Sequence, residues 1–272
     1  MSMVVPARPK IEATVENAVF VVDDVHLSFG GIVALNALTF SVTKGELCAV
    51  IGPNGAGKSS LFNVISGVYK PSHGSVRYRG EEILGRAPHQ IAALGVGRTF
   101  QNLAVVPAMT VLDNVLLGGH LRYRGPLTVL GGVLRLRGEV KAERRLRTDA
   151  HELLERIGLA HLAGEEVSSL SYGWQKRVEI ARAMMSKPSL LLVDEPAGGL
   201  TQDEVHELGA LLRGVRDEFE LTMLLVEHHM GLVTSFADRC VVMSAGALIA
   251  DGRPAEVVRD PVVVAAYLGE DD

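Results

Sequence analysis

Short apolar runs bounded by turn residues dominate the first part of the chain. Between Val19 and Arg79, the runs VFVVDDVHLSF, ALTFSV, LCAVI and SVRYRG have the composition of β-strands and are separated by glycine-containing turns. The run KSSLFNVISGV has the spacing of a helix. This part of the chain is therefore predicted to be rich in strands, with one helix.

The pattern becomes helical between about residues 91 and 169. In ERRLRTDAHELLERIGL, apolar residues recur at helical spacing and form one stripe, and Gly158 suits the helix end. This region is predicted to be an inserted α-helical subdomain. The stripe consists of Leu146, Ala150, Leu153, Leu154 and Ile157.

Strands and helices alternate beyond about residue 170. SLLLVDEP, LTMLLVEH and CVVMSAG are strand-like, whereas QDEVHELGALLRGVRDEF and GLVTSFADR are helical. Such alternation predicts a parallel sheet with helices on both faces. We expect an α/β core over about 18–90 and 170–250, C-terminal helices over about 251–269, and a flexible N-terminal tail over residues 1–17.

Composition and charge narrow the class of protein. With 47% hydrophobic and 22% charged residues among 272, the sequence is typical of a folded soluble protein. The apolar runs are far shorter than the roughly 18 residues of a spanning helix, and the N-terminus does not resemble a signal peptide, so we expect a cytoplasmic location. The formal net charge of -5 argues against a dedicated nucleic-acid binder, so no nucleic-acid partner is expected. Cys48 and Cys240 lie in strand-like runs and are predicted to be buried free thiols.

The segment GPNGAGKS follows the strand-like LCAVI and precedes the predicted helix. In a glycine-rich loop between a strand and a helix, backbone N–H groups can point at phosphate oxygens, and the helix adds its positive end. Lys58 is expected to reach the β- and γ-phosphates, and Ser59 to bind Mg²⁺. The predicted nucleotide site comprises Gly52, Pro53, Asn54, Gly55, Ala56, Gly57, Lys58, Ser59 and Ser60.

Two carboxylates follow the apolar run LLLV. Asp194 and Glu195 emerge at the carboxyl end of a predicted parallel strand, where open α/β sheets place their sites. Asp194 is predicted to bind Mg²⁺, and Glu195 to orient or deprotonate the attacking water. The alternative, a pair of solvated turn carboxylates before Pro196, is disfavoured by the presence of the phosphate loop.

His228 lies just beyond another apolar strand, MLLV. A single histidine is usually structural. Three predicted strands, however, bring Lys58, Glu195 and His228 to one edge of the same sheet. We therefore predict that His228 donates a hydrogen bond to the γ-phosphate.

The segment LSYGWQKRVEIARAMM is predicted to be a helix that begins at Ser171 and ends before Pro188. One interpretation is a capped helix with no further role. The other is that Ser171 and the backbone of Gly173 form a second anion site at a helix N-terminus. Since the chain has its own phosphate loop, this second interpretation predicts contact with the ATP of a partner subunit.

These segments together resemble the motifs of ATP-binding cassette proteins. LSYGW with QKRVEIARA resembles the signature motif, and GPNGAGKSS, LLLVDEP and LLVEHH resemble the Walker A, Walker B and switch regions. The resemblance implies an α/β P-loop NTPase (RecA-like) core, an N-terminal antiparallel β subdomain, and Mg²⁺-dependent ATP hydrolysis. It also implies that adenine stacks on Phe29 and that Gln101 contacts Mg²⁺ and senses a membrane subunit. The signature residues expected to face the partner's ATP are Ser171, Tyr172, Gly173 and Trp174.

Finer features are similar to the larger of the two ATPases in branched-chain amino acid importers: FGGIVALNALTF, RTFQN, EPAGGL and DPVVVAAYLGE. This similarity implies a second cassette, either a sister subunit or a second copy, two permease subunits in the membrane, and an extracytoplasmic substrate-binding protein. The chain would then lie on the cytoplasmic face of the inner membrane. Importers of urea or short amides share much of this pattern. The remaining alternatives are a non-transport cassette ATPase and an ATP-gated regulatory module.

Three positions depart from the family's pattern. Trp174 replaces a polar residue, Thr201 stands where Asp or Asn is common, and His229 replaces a common Asp. These departures bear on communication across the dimer, and Trp174 either packs against the opposing nucleotide or fills a gap. The arginine-rich segment 120–147 is either a solvated helix face or a contact with lipid head groups or a partner.

Overall fold

The N-terminal part of the chain forms a four-stranded antiparallel sheet, as expected for the β subdomain. The computed structural model describes residues 17–100, 103–119 and 137–268. The strands of this sheet are β1 (Ala18–Phe29), β2 (Ile32–Thr43), β4 (His73–Tyr78) and β5 (Glu81–Glu82). They lie in the order β2-β1-β4-β5, with all three pairs antiparallel. Alternating residues of β1 are buried and face the core.

A second, six-stranded sheet forms the core. Its strands are β3 (Leu47–Ile51), β6 (Val96–Arg98), β7 (Leu190–Asp194), β8 (Thr222–Val226), β9 (Arg239–Ser244) and β10 (Ala247–Gly252). The order is β10-β9-β3-β8-β7-β6, and all neighbours are parallel except β10 with β9. Every residue of β3, β7 and β8 is buried, which explains their uninterrupted apolar runs.

Helices and the first sheet cover the two faces of the core sheet. The helices are α1 (Lys58–Ile65), α2 (Pro88–Ala93), α3 (Val111–Gly118), α4 (Arg137–Arg156), α5 (Tyr172–Met184), α6 (Gln202–Phe219), α7 (Met230–Phe236), α8 (Pro254–Val257) and α9 (Pro261–Leu268). Leu190 and Leu192 share a hydrophobic cluster with the first sheet and α1, whereas Leu191 and Val193 share one with α5 and α6. The predicted parallel sheet with both faces covered is confirmed.

The inserted helical subdomain is built from α3, α4 and α5, which pack on one another. Along α4, the predicted stripe residues Ala150, Leu153 and Leu154 are buried, and the left-handed φ of +75° at Gly158 follows the helix end. At the two ends of this region, β6 pairs with β7 in the core sheet, and α5 packs on α3.

Both cysteines are buried free thiols, as predicted. Cys48 lies in β3 and Cys240 in the adjacent strand β9. Burial raises the pKa of Cys240 to about 12 and raises that of Cys48 well above its usual range. In the described ranges, none of the helices is long and apolar enough to cross a membrane.

Candidate nucleotide site

The glycine-rich loop connects β3 to α1. Lys58, the first residue of α1, is 6% exposed, and its Nζ donates hydrogen bonds to the carbonyl oxygens of Gly52 and Pro53 at 2.6 and 2.8 Å. The loop therefore wraps around the ammonium group, and Ser59 is exposed beside it at the helix N-terminus. This arrangement of loop, lysine and helix end is that of a phosphate-binding site.

Two glycines of this loop have no room for a side chain. Gly57 has a left-handed φ of +98°, and a Cβ atom there would lie 2.4 Å from the carbonyl oxygen of Ala34 in β2. At Gly52, a Cβ atom would lie 2.1 Å from the carbonyl oxygen of Met243 in β9. The loop is therefore held against both sheets, and its shape requires glycine at these positions.

Asp194, the last residue of β7, is held by two consecutive residues. Arg98 Nη2 donates to Asp194 Oδ2 at 3.0 Å, and Thr99 Oγ1 accepts from the backbone N–H of Asp194 at 3.2 Å. Burial raises the pKa of the Asp194 carboxyl above its usual value, and the hydrogen bond and charge of Arg98 oppose this rise. Arg98 thus favours the ionised form of a buried carboxyl.

The second carboxylate oxygen of Asp194, Oδ1, is buried and lacks a hydrogen-bond partner within the described parts of the chain. Buried polar atoms are rarely left in this state, and a carboxylate oxygen is a ligand that Mg²⁺ prefers. Searched over the same residues, the chain has no group of three or more His, Cys, Asp or Glu side chains that could hold a metal. Mg²⁺ at nucleotide sites needs only one or two protein ligands besides phosphate oxygens, so Asp194 and Ser59 fit it.

Glu195 follows Asp194 in an unusual backbone conformation. Its φ is +44°, in the left-handed region, and its N–H donates to the carbonyl oxygen of Val226 at the end of β8. For a residue other than glycine, this conformation is strained, and such residues cluster at functional sites. The turn begins directly after Asp194, so the extended conformation of β7 ends at the proposed magnesium ligand.

Glu227 is the functional-site residue that the sequence interpretation missed. It is fully buried, and its Oε2 accepts from the backbone N–H groups of His228 and His229, both at 3.0 Å. Its Oε1 accepts from the N–H of Ala197 at 2.7 Å, in the turn after Glu195. One carboxylate therefore joins the loop that contains Glu195 to the loop that contains His228. A glutamate at the end of the apolar run MLLV is the sequence signal that could have indicated it.

The ends of the three central strands are level with one another. Val226 pairs with Val50 of β3 on one side and with Asp194 of β7 on the other. The segments that contain Lys58, Glu195 and His228 therefore leave adjacent parallel strands at the same edge, as the sequence predicted. His228 itself is exposed at this edge.

Phe29 lies at the end of β1 and is 44% exposed, so it is not a core residue. Its ring meets the ring of Tyr69 edge to face, with centroids 5.0 Å apart. The contact orients Phe29 and leaves part of its surface open to a planar ligand.

The signature segment forms the start of α5. Ser171 has the backbone conformation of an N-cap residue, but within the described chain its hydroxyl makes no capping hydrogen bond. The predicted position of the N-cap is therefore confirmed. Ser171 and Tyr172 are exposed, and a Cβ atom on Gly173 would lie 2.9 Å from Glu204 Oε1. The helix start thus presents a hydroxyl and backbone N–H groups to solvent.

Trp174 packs within its own chain. The guanidinium of Arg177 lies 4.4 Å from the centre of the Trp174 ring, and the His161 ring meets it edge to face at 5.6 Å. Arg177 also pairs with Glu207 of α6. These contacts favour the interpretation that Trp174 fills a gap between α5 and its neighbours.

Thr201 and His229, the other two residues that depart from the family's pattern, are helix N-caps. Thr201 Oγ1 accepts from the N–H of Glu204, and Glu204 Oε2 accepts from the Thr201 N–H at 2.9 Å, which forms a capping box at the start of α6. His229 caps α7, where its Nδ1 accepts from the N–H of Leu232 at 3.4 Å. Both residues therefore occupy N-cap positions, where Asp and Asn are also favoured.

An open groove of about 400 Å³ lies between α2, β6 and α5. Phe100 is 51% exposed in this groove, and its N–H donates to Glu179 Oε1 at 2.9 Å. Burial raises the pKa of Glu179, whereas the hydrogen bond from Phe100 lowers it. Gln101, the next residue, lies outside the described residues. Most of the arginine-rich segment 120–147 also lies outside them. The apolar lining of the groove includes Val68, Pro88, Ile91, Phe100 and Ala104.

The two sheets, the phosphate loop and the carboxylates at the strand ends define a nucleotide-binding cassette. Residues 35–198 match the family model described as ABC transporter, and residues 247–272 match one described as branched-chain amino acid ATP-binding cassette transporter. The chain therefore belongs to the ABC transporter family.

Named relatives and solved structures agree with this assignment. The chain is 41% identical over 244 residues to the high-affinity branched-chain amino acid transport ATP-binding protein BraF of Pseudomonas aeruginosa, covering 90% of this chain and 95% of BraF. It is 39% identical over 249 residues to LivG of Escherichia coli, a protein with the same description, and the match covers 92% of this chain and 97% of LivG. A nucleotide-free ATP-binding cassette from an ABC transporter superposes with a TM-score of 0.80 at 33% identity; the match covers 92% of this chain and 98% of that cassette. An ADP conformation of a cassette gives a TM-score of 0.81, also at 33% identity, covering 93% and 99%.

Proposed function

We propose that this chain hydrolyses ATP to drive an importer of branched-chain amino acids. The observation that supports this most directly is the sheet edge at which the phosphate loop, the Asp194–Glu195 pair and His228 leave three adjacent parallel strands. The names of BraF and LivG support the substrate.

In this proposal, each residue at the edge has one task. Lys58 and the backbone N–H groups of the loop bind the β- and γ-phosphates. Ser59, Asp194 and Gln101 would hold Mg²⁺, which when bound would supply positive charge beside the phosphate oxygens. Glu195 orients or deprotonates the attacking water; where it acts as the base, its carboxylate takes the proton. The water oxygen bonds to the γ-phosphorus as the bond between that phosphorus and the β–γ bridging oxygen breaks and ADP leaves. The His228 side chain donates a hydrogen bond to the γ-phosphate as charge develops there.

The working unit is a dimer of cassettes, formed with a sister subunit or a second copy. Ser171, Tyr172 and Gly173 would bind the γ-phosphate of the partner's ATP, because a hydroxyl and several N–H groups are exposed at the start of a thirteen-residue helix. Trp174 would support this helix start from within its own chain through Arg177.

Two permease subunits would hold the cassettes at the cytoplasmic face of the inner membrane, and an extracytoplasmic binding protein would deliver the substrate. The groove beside Phe100 supports a permease contact, since it combines an open volume of about 400 Å³ with an apolar lining and an exposed aromatic ring. Gln101 follows Phe100, so occupation of the groove would be sensed at the proposed magnesium site.

Substitution E195Q tests the hydrolytic role. We expect kcat for Mg²⁺-dependent phosphate release to fall by about 100-fold or more, because a positioned base contributes about 10²–10⁴-fold. Binding of a fluorescent ATP analogue should be unchanged. The exposed Glu256 provides a matched control, since E256Q removes the same charge on α8, far along the chain from the site. Wild-type turnover in E195Q would refute the assignment.

Uptake of labelled leucine tests the substrate. A strain lacking this chain should lose leucine uptake, and the wild-type chain, but not E195Q, should restore it. Loss of labelled urea or acetamide uptake with normal leucine uptake would instead indicate the related importers of urea or short amides.

A further inference from the structure

Arg98 lies where three parts of the nucleotide site meet. It ends β6, and its side chain is 13% exposed. While Nη2 binds Asp194 Oδ2, Nη1 donates to Asn63 Oδ1 and Ser66 Oγ, both at 2.9 Å. Asn63 belongs to α1 and Ser66 follows it directly. The guanidinium thus links the helix after the phosphate loop to the strand that ends at Asp194.

Aromatic rings restrict the orientation of this guanidinium. Its central carbon lies 5.6 Å from the centre of the Phe62 ring and 5.3 Å from that of Phe100. Lysine would retain the charge at this position, but it has a single nitrogen and cannot bind α1 and Asp194 with two separate groups. The contacts of Arg98 therefore depend on the shape of arginine as well as on its charge.

Thr99 fixes the backbone on the same side. It is 3% exposed, its Oγ1 accepts from the Asp194 N–H at 3.2 Å, and its own N–H donates to the carbonyl oxygen of Leu192 at 2.9 Å. Consecutive residues of one segment therefore bind the carboxylate and the backbone of Asp194. Within the described residues, this leaves Oδ1 as the carboxylate oxygen with no hydrogen-bond partner.

We propose that Arg98 and Thr99 are positioning residues for Mg²⁺: they hold Asp194 with Oδ2 engaged and Oδ1 left for the cation that arrives with the nucleotide. The proposal rests on the assignment of Asp194 as a magnesium ligand. Hydrogen-bond partners of metal ligands typically contribute about 10–100-fold to metal affinity. Because β6 leads through Phe100 toward the groove, the same segment also connects the groove to the metal ligand.

The positive charge of Arg98 and its hydrogen bonds to Asp194 should have opposite effects on Mg²⁺ affinity. Removing the guanidinium removes a positive charge near the cation, which by itself would strengthen Mg²⁺ binding. Variants that conserve charge separate the two effects. R98K keeps the charge and loses the double set of donors. T99V replaces the Thr99 hydroxyl with a methyl group of similar volume. We expect both variants to bind Mg²⁺ about tenfold more weakly. T99S, which retains the hydroxyl, should stay close to the parent protein.

The experiment titrates Mg²⁺ into the full chain in an E195Q background with a fluorescent ATP analogue. The analogue's affinity in EDTA should be unchanged, because the phosphate loop is intact, and the Mg²⁺ concentration at half-saturation should rise. Electron paramagnetic resonance with Mn²⁺ gives a second measure of cation affinity. R86K is the matched control. Arg86 lies shortly after β5 and pairs with the exposed Glu81 of that strand.

D194A separates this proposal from the one on which it rests. If D194A binds Mg²⁺ as the parent does, the assignment of Asp194 fails. If D194A weakens Mg²⁺ binding while both R98K and T99V bind it normally, only the positioning role fails. Circular dichroism checks that each variant is folded, and the T99V and T99S pair decides the outcome should R98K not fold.

Discussion

The buried carboxylate of Glu227 offers a sharp test of how the site is held together. Glutamine in its place keeps one acceptor oxygen and turns the other into an amide NH₂ that faces a backbone N–H. At least one of the three hydrogen bonds from Ala197, His228 and His229 is then lost. A hydrogen bond to a charged group contributes about 1.5–3 kcal/mol, so E227Q should lower the free energy of unfolding by about this amount. The Tm should fall by roughly 3–12 °C.

The effect of E227Q on catalysis should be separable from its effect on stability. Glu227 holds the turn after Glu195 beside His228, and a misplacement of about 1 Å can cost about 100-fold in rate. We expect kcat for phosphate release to fall by about 10- to 100-fold, with KM for ATP nearly unchanged because the phosphate loop is untouched. Steady-state phosphate release below the Tm of the variant measures both constants.

Glu46 supplies the matched control. Its Oε2 accepts from the backbone N–H and the hydroxyl of Thr43 at 2.7 and 2.8 Å, and its Oε1 accepts from Arg239. It precedes β3, at the end of the strand opposite the phosphate loop. E46Q should therefore lower the Tm but leave kcat unchanged. A folded E227Q with wild-type kcat would refute the positioning argument and leave Glu227 a purely structural role.

Three further outcomes follow from the contacts described above. T201A should lower the free energy of unfolding by about 1 kcal/mol through loss of the cap on α6, whereas T201S should retain it, as thermal melts at neutral pH would show. Hydrogen bonds from the backbone N–H and the hydroxyl of Thr201 lower the pKa of Glu204, so their contribution to stability should be present above the usual pKa of glutamate and be lost as the pH falls through the lowered pKa. Since the raised pKa values keep Cys48 and Cys240 protonated, neither thiol should react with Ellman's reagent until guanidinium unfolds the protein, and rapid reaction of the native protein would contradict the burial. F29A should raise KM for ATP by about tenfold, because base stacking on an aromatic ring contributes about 1–3 kcal/mol, whereas F29W should not; equal KM values in F29A and wild type would exclude stacking.

Parts of the fold were predictable because their sequence signal is local. β3 and β7 are continuous apolar runs, since every residue in them is buried, and their predicted positions are confirmed. β6 has no such signal. It is three residues long, includes Gly97 and Arg98, and becomes a strand only by pairing with β7 about ninety positions later in the chain. Pairing across such a separation cannot be deduced from composition or periodicity.

The nucleotide site likewise combines residues with a local sequence signal and contacts that depend on long-range packing. The residues of the phosphate loop and of Asp194–Glu195 follow from glycine spacing and from their place after apolar runs. The partners of Glu227 do not, because Ala197 reaches it only through the packing of two loops. The role of Thr201 could have been found from the sequence, since TQDE has the spacing of a capping box.

The left-handed backbone at Glu195 has a consequence for how the chain can change over generations. Glycine adopts a φ of +44° without the steric cost of about 1–2 kcal/mol that a larger residue carries. A single nucleotide change converts a glutamate codon to a glycine codon, so a cassette with a relaxed turn and without the proposed catalytic carboxylate is one mutation away. Selection for stability alone would favour that mutation. A chain that has glutamate at this position carries the steric cost of the left-handed turn in exchange for a carboxylate at the sheet edge, so under the proposed role stability and activity favour different residues here.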